Sequence, residues 1–356
     1  MHETSKQRHI RYFTRCLQLS PAALTPYDLA RTSVGFFCFV GLDVLGAIET
    51  VDASTKANWV DWIYACQVPT GGFRGSPATA LGEESIYDPA HIAATYFALA
   101  SLLTLGDDLG RLDSQSLLTW LPKLQKADGS FASFLCRGRP VGETDMRFVY
   151  CAMAILSILQ PAHGVIDYEK TFTYVATCRT FDGLFGSASW EEGHAGLTFC
   201  AIAAARLASK YIPQAISTML LDPSSTTAAL LRLQTKEGGF SGRVNKPADT
   251  CYSFWAGAAL RLLETDVYVS SPSNMEFLLH ETQHRSGGFA KIPGADPDPM
   301  HSCLALLSLS MGNEAGLKQI CPALSITTLA ERRSRHALSP HLSAKVMESP
   351  VSEIVK

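Results

Sequence analysis

Five short segments of this chain end alike and recur at a nearly fixed interval. They are CQVPTGGF (66–73), LQKADGSF (124–131), CRTFDGLF (178–185), LQTKEGGF (233–240) and TQHRSGGF (282–289). The closing Phe residues stand at 73, 131, 185, 240 and 289, so the intervals are 58, 54, 55 and 49 residues. A Gln precedes that Phe by six residues in four segments, and Arg179 stands there in the third. A period of this length marks one supersecondary unit that cannot bury its apolar face alone and must stack on its neighbours.

What lies between the turns sets the fold class. Five stretches begin polar and then run almost wholly apolar for about four helical turns: PAHIAATYFALASLLTLGDDL from Pro89, ETDMRFVYCAMAILSIL from Glu143, HAGLTFCAIAAARLASK from His194, DTCYSFWAGAALRLLE from Asp249 and MHSCLALLSLSMG from Met300. A helix apolar all round is buried all round. The stretches before each Gly turn, such as SQSLLTWLPKLQ from Ser114, are more amphipathic. Each unit therefore reads as an outer helix, a Gly turn and an inner helix. Five to six such hairpins curling round form an all-α fold, an α/α barrel (toroid), expected over residues 8–325. An open helical solenoid has the same periodicity, and the repeat alone leaves it standing. Residues 326–356 are polar and are expected to be a disordered tail.

The bulk numbers narrow the rest. The 356 residues are 47% hydrophobic and 18% charged, enough to build a core, and the net charge of −3 gives no general attraction to nucleic acid or anionic membrane. The opening MHETSKQRHIRYF lacks the apolar centre of a secretory leader. Ten cysteines are scattered singly without a CxxC pair, which suits a reducing compartment. The expectation is a cytoplasmic protein that binds no nucleic acid.

In a toroid all inner helices start at one mouth, so residues far apart in sequence converge there. Asp249, Cys251 and His301 offer a carboxylate, a thiolate and an imidazole, an acceptable zinc set with a fourth position left for substrate. The same three also read as a helix N-cap, a core thiol and a second cap. Spacing alone leaves both readings open. His194, Arg243, Lys246 and Tyr252 supply donors for an anion such as a diphosphate. Arg243 and Lys246 read equally well as solvated loop cations. The aromatics Phe148, Tyr150, Phe199, Tyr252, Phe254 and Trp255 crowd the same helix starts, either as core or as the wall of an apolar funnel.

Four segments, GRVNKPADTCYSFW, GGFAKIPGADPDPMHS, ETDMRFVYCA and EEGHAGLTFCA, together with the closing PALSITTLAER, resemble the β subunits of protein prenyltransferases. Within that family the likeness is greatest to the type I geranylgeranyltransferases, and it runs from about Arg8 to Arg333. It implies that Asp249, Cys251 and His301 hold one zinc ion, and that Tyr252 acts beside them in catalysis. His194, Arg243, Lys246 and Tyr252 would hold the diphosphate. Lys291 stands where farnesyl-specific relatives place a magnesium-binding Asp, so magnesium would not be required. Arg147 would meet the C-terminus of a peptide and Phe148 would shape the pocket for its last residue. Ser33 occupies the place of a bulky Trp in farnesyl-specific relatives, leaving room for a twenty-carbon lipid, with Phe37 and Trp255 also contacting substrate.

The implied activity is transfer of a geranylgeranyl group from geranylgeranyl diphosphate to the Cys of C-terminal CaaX motifs, with X often Leu, on proteins such as Rho-type small GTPases. The implied partner is a prenyltransferase α subunit in an obligate heterodimer. The type II enzyme, acting on Rab proteins, and farnesyltransferase are the near alternatives. Two other classes share the toroid. A terpene cyclase needs a D-x-D-D acid, and a complement-type binding toroid carries a Cys-Gly-Glu-Gln thioester motif. The chain contains neither.

Overall fold

The computed structural model describes residues 3–19, 29–80, 89–161, 164–220 and 222–337. Among these the chain runs through α1 (Glu3–Gln18), α2 (Arg31–Val44), α3 (Ala53–Tyr64), α4 (Ile92–Leu105), α5 (Ser114–Trp120), α6 (Met146–Leu159) and α7 (Tyr168–Thr177). It continues through α8 (Ala195–Ala208), α9 (Ala215–Met219), α10 (Pro223–Leu231), α11 (Thr250–Leu262), α12 (Ser271–Glu276), α13 (Pro299–Met311) and α14 (Thr328–Ala337). The apolar runs become the inner layer, α2, α4, α6, α8, α11 and α13. Each packs on the next, and α13 packs back on α2. The ring is closed, which removes the open solenoid. Burial follows the patterning: α4 buries twelve of its fourteen residues, whereas the outer α5 buries only Leu117 and Trp120.

The repeated turn has one construction throughout. Its backbone pairs across Gln67–Phe73, Gln125–Phe131, Arg179–Phe185, Gln234–Phe240 and Gln283–Phe289. All five Phe side chains are fully buried. The Gln ties the turn to the next outer helix. The Gln125 amide donates to the Asp167 carbonyl (2.8 Å) and accepts from its N–H (2.9 Å), and Gln234 treats Ser270 the same way (2.9 and 3.0 Å). Arg179 keeps the donating half, reaching the Asp222 carbonyl at 3.4 Å. The turn glycine must lack a side chain: a Cβ on Gly129 or Gly238 would stand 2.2 Å from the carbonyl oxygen of Lys170 or Ser273 on the next outer helix, and φ is +92° and +93°.

The fifth turn has no following outer helix in sequence, and α1 takes that place. A Cβ on Gly287 would meet the Arg8 carbonyl at the same 2.2 Å. Gln283 bonds His9 (2.8 Å), the His9 Nδ1 accepts the Gly288 N–H (2.9 Å), and the imidazole stacks on Phe289 at 4.8 Å.

The expected boundary near residue 325 is corrected by the structure. Ile326 and Ala330 are fully buried. Thr327 donates to the buried Asp43 carboxylate (2.5 Å), which also receives Lys318 (2.7 Å). Arg333 on α14 donates to the Leu103 and Thr104 carbonyls (2.8 and 3.2 Å) at the end of α4. Polar residues here serve the C-terminal ends of inner helices, so their polarity does not signal disorder. The rest of the expected tail, 338–356, and the stretch 81–88 ahead of α4 lie outside the described residues. A hairpin, β1 (Ala132–Cys136) with β2 (Arg139–Thr144), was not anticipated. Its turn at Arg137 and Gly138 has φ of 50° and 73°, the left-handed pair of a tight β-hairpin. No helix among the described residues is long and apolar enough to cross a membrane.

Burial, with a smaller contribution from Arg8, pushes the His9 imidazole down to about 4 from an ordinary 6.5. The native state therefore resists protonation that the unfolded chain accepts, and the resulting stability is complete above pH 6.5 and is lost as pH falls toward 4. At about 1.4 kcal/mol per pH unit the loss from this one site is about 3 kcal/mol. Thermal unfolding of the full chain from pH 7 to 4 should show His9→Gln less stable at pH 7 and less sensitive to acid. An equal pH slope in the two proteins would remove His9 from this role.

Candidate functional site

The inner helices are capped by side chains with chemistry to spare. His91, Asp145, His194, Asp249 and Asp298 each accept a backbone N–H from the first turn of α4, α6, α8, α11 and α13 respectively. Three of these caps are held from behind by the repeat phenylalanine. The carbonyls of Phe73, Phe185 and Phe240 accept the N–H of His91 (2.9 Å), His194 (3.0 Å) and Asp249 (3.0 Å). Contacts between adjacent starts, His91 with Phe148, His194 with Tyr252 and Asp249 with His301, bring these ends to one mouth.

Asp249, Cys251 and His301 meet as expected. One ligand atom from each lies within 4.8 Å of the others, and all three residues are buried. Asp249 Oδ1 accepts the Cys251 N–H (3.0 Å) and lies 3.3 Å from His301 Nε2. The cap and the candidate metal ligand are thus one carboxylate. His301 itself caps nothing; Asp298 does, accepting the His301 N–H at 3.0 Å. Asp298 also binds His301 Nδ1 at 2.5 Å, which fixes the ring and turns Nε2 to the cluster. The sequence reading passed over Asp298, inside DPDPMHS. The available signal was an acid three residues before a candidate ligand at a helix start.

The donor set fits a divalent metal electrostatically as well as geometrically. Burial, reinforced by Asp249, pushes the Cys251 thiol far above its ordinary range. Burial alone would lower His301, but bonds to Asp249 and Asp298 outweigh it and lift the imidazole to about 9. Both groups hold protons at neutral pH, which a divalent cation would have to displace. Lys291 Nζ stands 3.7 Å from Asp249 Oδ2 with most of its length in solvent.

Beside the cluster, His194 Nδ1 accepts the Gly196 N–H (3.1 Å), so its proton belongs on Nε2, 2.8 Å from the Tyr252 hydroxyl. The imidazole donates, the phenol oxygen accepts, and the phenol proton is left to face an incoming anion. Burial raises Tyr252 to about 12, keeping it a donor. Burial, then Arg243, lowers His194, keeping it neutral. Arg243 pairs closely with Glu192, and Lys246 is exposed on the same loop, its N–H bonding the Arg243 carbonyl at 3.3 Å.

The remaining expected residues form a second group. Arg147 is held by Asp145 (Nε to Oδ2, 2.7 Å) and lies over Phe148, centroid 5.7 Å away. Phe148 packs edge-on to His91 at 5.7 Å, another residue the sequence reading missed. His91 and Ser33 line one cavity of about 440 Å³ with Ala93, Phe97 and Phe134. From it an aromatic wall crosses the barrel: Phe37 to Phe97 (5.8 Å), Phe97 to Tyr96 (5.3 Å), Tyr96 to Tyr150 (5.3 Å), Tyr150 to Phe199 (5.5 Å) and Phe199 to Trp255 (5.0 Å).

Comparison with known proteins agrees with this geometry. A family model described as the prenyltransferase alpha-alpha toroid domain matches residues 5–326. The chain is 37% identical over 343 residues to the geranylgeranyl transferase type-1 subunit beta of Arabidopsis thaliana, covering 91% of this chain and 89% of that one. It is 30% identical to the subunit of the same name from Dictyostelium discoideum, covering 92% and 96%. Its structure is similar to that of Candida albicans protein geranylgeranyltransferase-I complexed with GGPP, with a TM-score of 0.84, 26% identity and coverage of 94% of this chain and 98% of that one. By the toroid it forms and by the model that spans it, this chain belongs to the prenyltransferase α/α toroid family.

Proposed function

We propose that this chain is the catalytic β subunit of a type I protein geranylgeranyltransferase, acting in the cytoplasm with a helical α subunit. The observation that carries the reading is the meeting of a metal-ligand cluster and an anion-donor pair at adjacent helix starts, above an aromatic wall. Asp249, Cys251 and His301 would hold zinc, which when bound takes up the substrate's cysteine as a thiolate at neutral pH. The chain's own groups do the rest. Asp298 keeps His301 Nε2 turned to the cluster. Tyr252, with its oxygen occupied by His194, gives its proton to the diphosphate as a hydrogen bond. Arg243 exchanges Glu192 for the diphosphate, and Lys246 and Lys291 add charge, in place of magnesium, where the leaving group gains it.

In the reaction the thiolate sulfur forms a bond to the first lipid carbon while that carbon's bond to the diphosphate oxygen breaks, and diphosphate departs with the electron pair. The aromatic side chains from Phe37 to Trp255 line the lipid and exclude water. The cavity lined by Ser33 and Phe97 would take the far end of the lipid, while Phe148, beside His91, would shape the pocket for the peptide's last residue, with Arg147 nearby for its carboxylate.

Four outcomes test this reading. Cys251→Ala should abolish stoichiometric zinc and lipid transfer together; loss of metal with full turnover would sink the zinc role. Because His301 and Cys251 would have to release their protons to solvent for the metal to bind, zinc affinity should fall as pH drops below about 9, by about tenfold per pH unit for each proton displaced. Chelator competition at pH 6.5 and 7.5 reads this directly, and equal affinities would contradict it.

Tyr252→Phe removes one donor from the leaving group, and single-turnover rates should fall about 10²-fold with zinc content unchanged. An unaltered rate would take Tyr252 out of the chemistry.

The decisive experiment is competition between fifteen- and twenty-carbon diphosphates on peptides ending in Leu or Ser, using the complex with an α subunit. The twenty-carbon lipid on the Leu peptide should win, and Ser33→Trp, by filling the cavity it lines, should shift preference toward fifteen carbons. Preference of the unaltered complex for the fifteen-carbon lipid on the Ser peptide would make it a farnesyltransferase instead.

A further inference from the structure

The connection between α7 and α8 carries the two most exposed large apolar side chains among the described residues, Phe181 and Trp190, at 104% and 101% relative exposure. Trp190 is also at odds with its own backbone. Five residues beyond the repeat phenylalanines at 185, 240 and 289, three equivalent turns reach a left-handed residue. In two of them the occupant suits the conformation: Asn245 (φ 62°) and Gly294 (φ 80°). In the other it is Trp190 (φ 71°). Gly and Asn enter this region readily, whereas a bulky side chain there is an outlier. The chain thus places an indole where the backbone disfavours it and where it buries nothing. A side chain that weakens the isolated fold and covers no core points to a contact outside the chain.

The surroundings indicate what that contact is. The loop bearing Trp190 folds onto the turn bearing Phe181: a Cβ on Gly193 would stand 2.7 Å from Thr180 Oγ1 and 3.1 Å from Asp182 Oδ1. Glu191 and Glu192 follow Trp190; Glu191 is exposed with no side-chain partner among the described residues, and Glu192 holds Arg243. His194 lies two residues further on. The aromatic pair therefore occupies the rim of the mouth, next to the anion donors and outside them.

We propose that Trp190, supported by Phe181, anchors the docking surface for the helical partner subunit, and that the partner presents an apolar pocket edged by Lys or Arg. Two aromatic rings fully in water call for a lasting cover, and Trp is the residue most often found at the energetic centre of an interface. The flanking carboxylates set the charge of the partner's rim by complementarity. This inference rests on the heterodimer reading above.

The test uses the full chain co-expressed with a prenyltransferase α subunit. The co-purified complex is diluted and its dissociation followed by mass photometry, while the chain alone is followed by thermal unfolding. Trp190→Asn gives the turn the residue its equivalent already uses. It should raise the dissociation constant by at least about tenfold while the melting temperature of the lone chain holds or rises. Glu191→Lys should slow association at low salt, with the difference shrinking as salt is added. Unchanged dissociation for Trp190→Asn would overturn the proposal, as would a lower melting temperature of the lone chain, which would make Trp190 a structural residue. Unchanged dissociation with a raised KM for the protein substrate would assign the surface to the substrate and also overturn it. A wild-type complex that forms and transfers no lipid would defeat the functional reading while leaving this surface intact. An active complex indifferent to Trp190→Asn would do the reverse.

Discussion

The chemistry at the mouth depends on a backbone hydrogen bond: the carbonyl of the repeat phenylalanine receives the N–H of the residue that caps the inner helix of the same unit. Phe73 fixes His91 in this way, Phe185 fixes His194 and Phe240 fixes Asp249. The same phenylalanine is held by its own N–H, which donates to Thr95, Thr198 and Ser302 for Phe73, Phe185 and Phe289 (2.9, 2.9 and 2.8 Å). A fully buried ring thus locks a turn, and the turn locks a functional side chain. The cost of ordering the site falls on the fold, not on the moment of binding, which is what preorganisation requires.

Capping and function are consequently not competing roles in this toroid. The choice between an N-cap and a ligand, open from spacing alone for Asp249, dissolves once the atoms are assigned. Oδ1 accepts the Cys251 N–H and faces His301, while Oδ2 faces Lys291. His194 divides likewise, with Nδ1 given to the helix and Nε2 to Tyr252. His194 thus gives one atom to the helix and presents the other, aimed by the first, whereas Asp249 uses Oδ1 for both the cap and the cluster. The restriction to His or Asp at five successive inner-helix starts is then a physical pattern: these are residue types that can cap a helix and still offer a polar atom to the mouth.

How much of this was readable in the sequence follows from which interactions are local. The period, the turn phenylalanines and the buried character of the inner runs are carried by neighbouring residues, and they gave the toroid. Asp249, Cys251 and His301 stand at repeat-equivalent helix starts, so the repeat itself brought them together. Asp298 was passed over because it acts only through His301. His91 was passed over because nothing in its own segment distinguishes it from a plain cap. The C-terminal strap misled for a different reason. Its polar residues satisfy partners over 200 positions away, as Thr327 does Asp43 and Arg333 does Leu103, and composition does not reveal such pairs. Ring closure is of the same kind, because Gln283 looks like Gln67, Gln125 and Gln234 while its partner, His9, lies at the other end of the chain.

The mouth also shows why a family fold allows one set of turns to differ in task. The five turns share a backbone and a buried ring, so each position beyond the phenylalanine can vary without disturbing the core. In the fourth turn that freedom supplies Arg243 and Lys246, in the fifth it supplies Lys291, and in the third it supplies Glu192 as the counter-charge to Arg243. Pairing across turns keeps the cationic rim from repelling itself before an anion arrives, and an exposed pair of this kind is weak enough, about 0–1 kcal/mol, to be exchanged for a multivalent anion. The geometry therefore couples a rigid frame, set by buried rings and caps, to a rim whose charges are held loosely. Binding an anion there requires side chains to change partners and leaves the helices where they are.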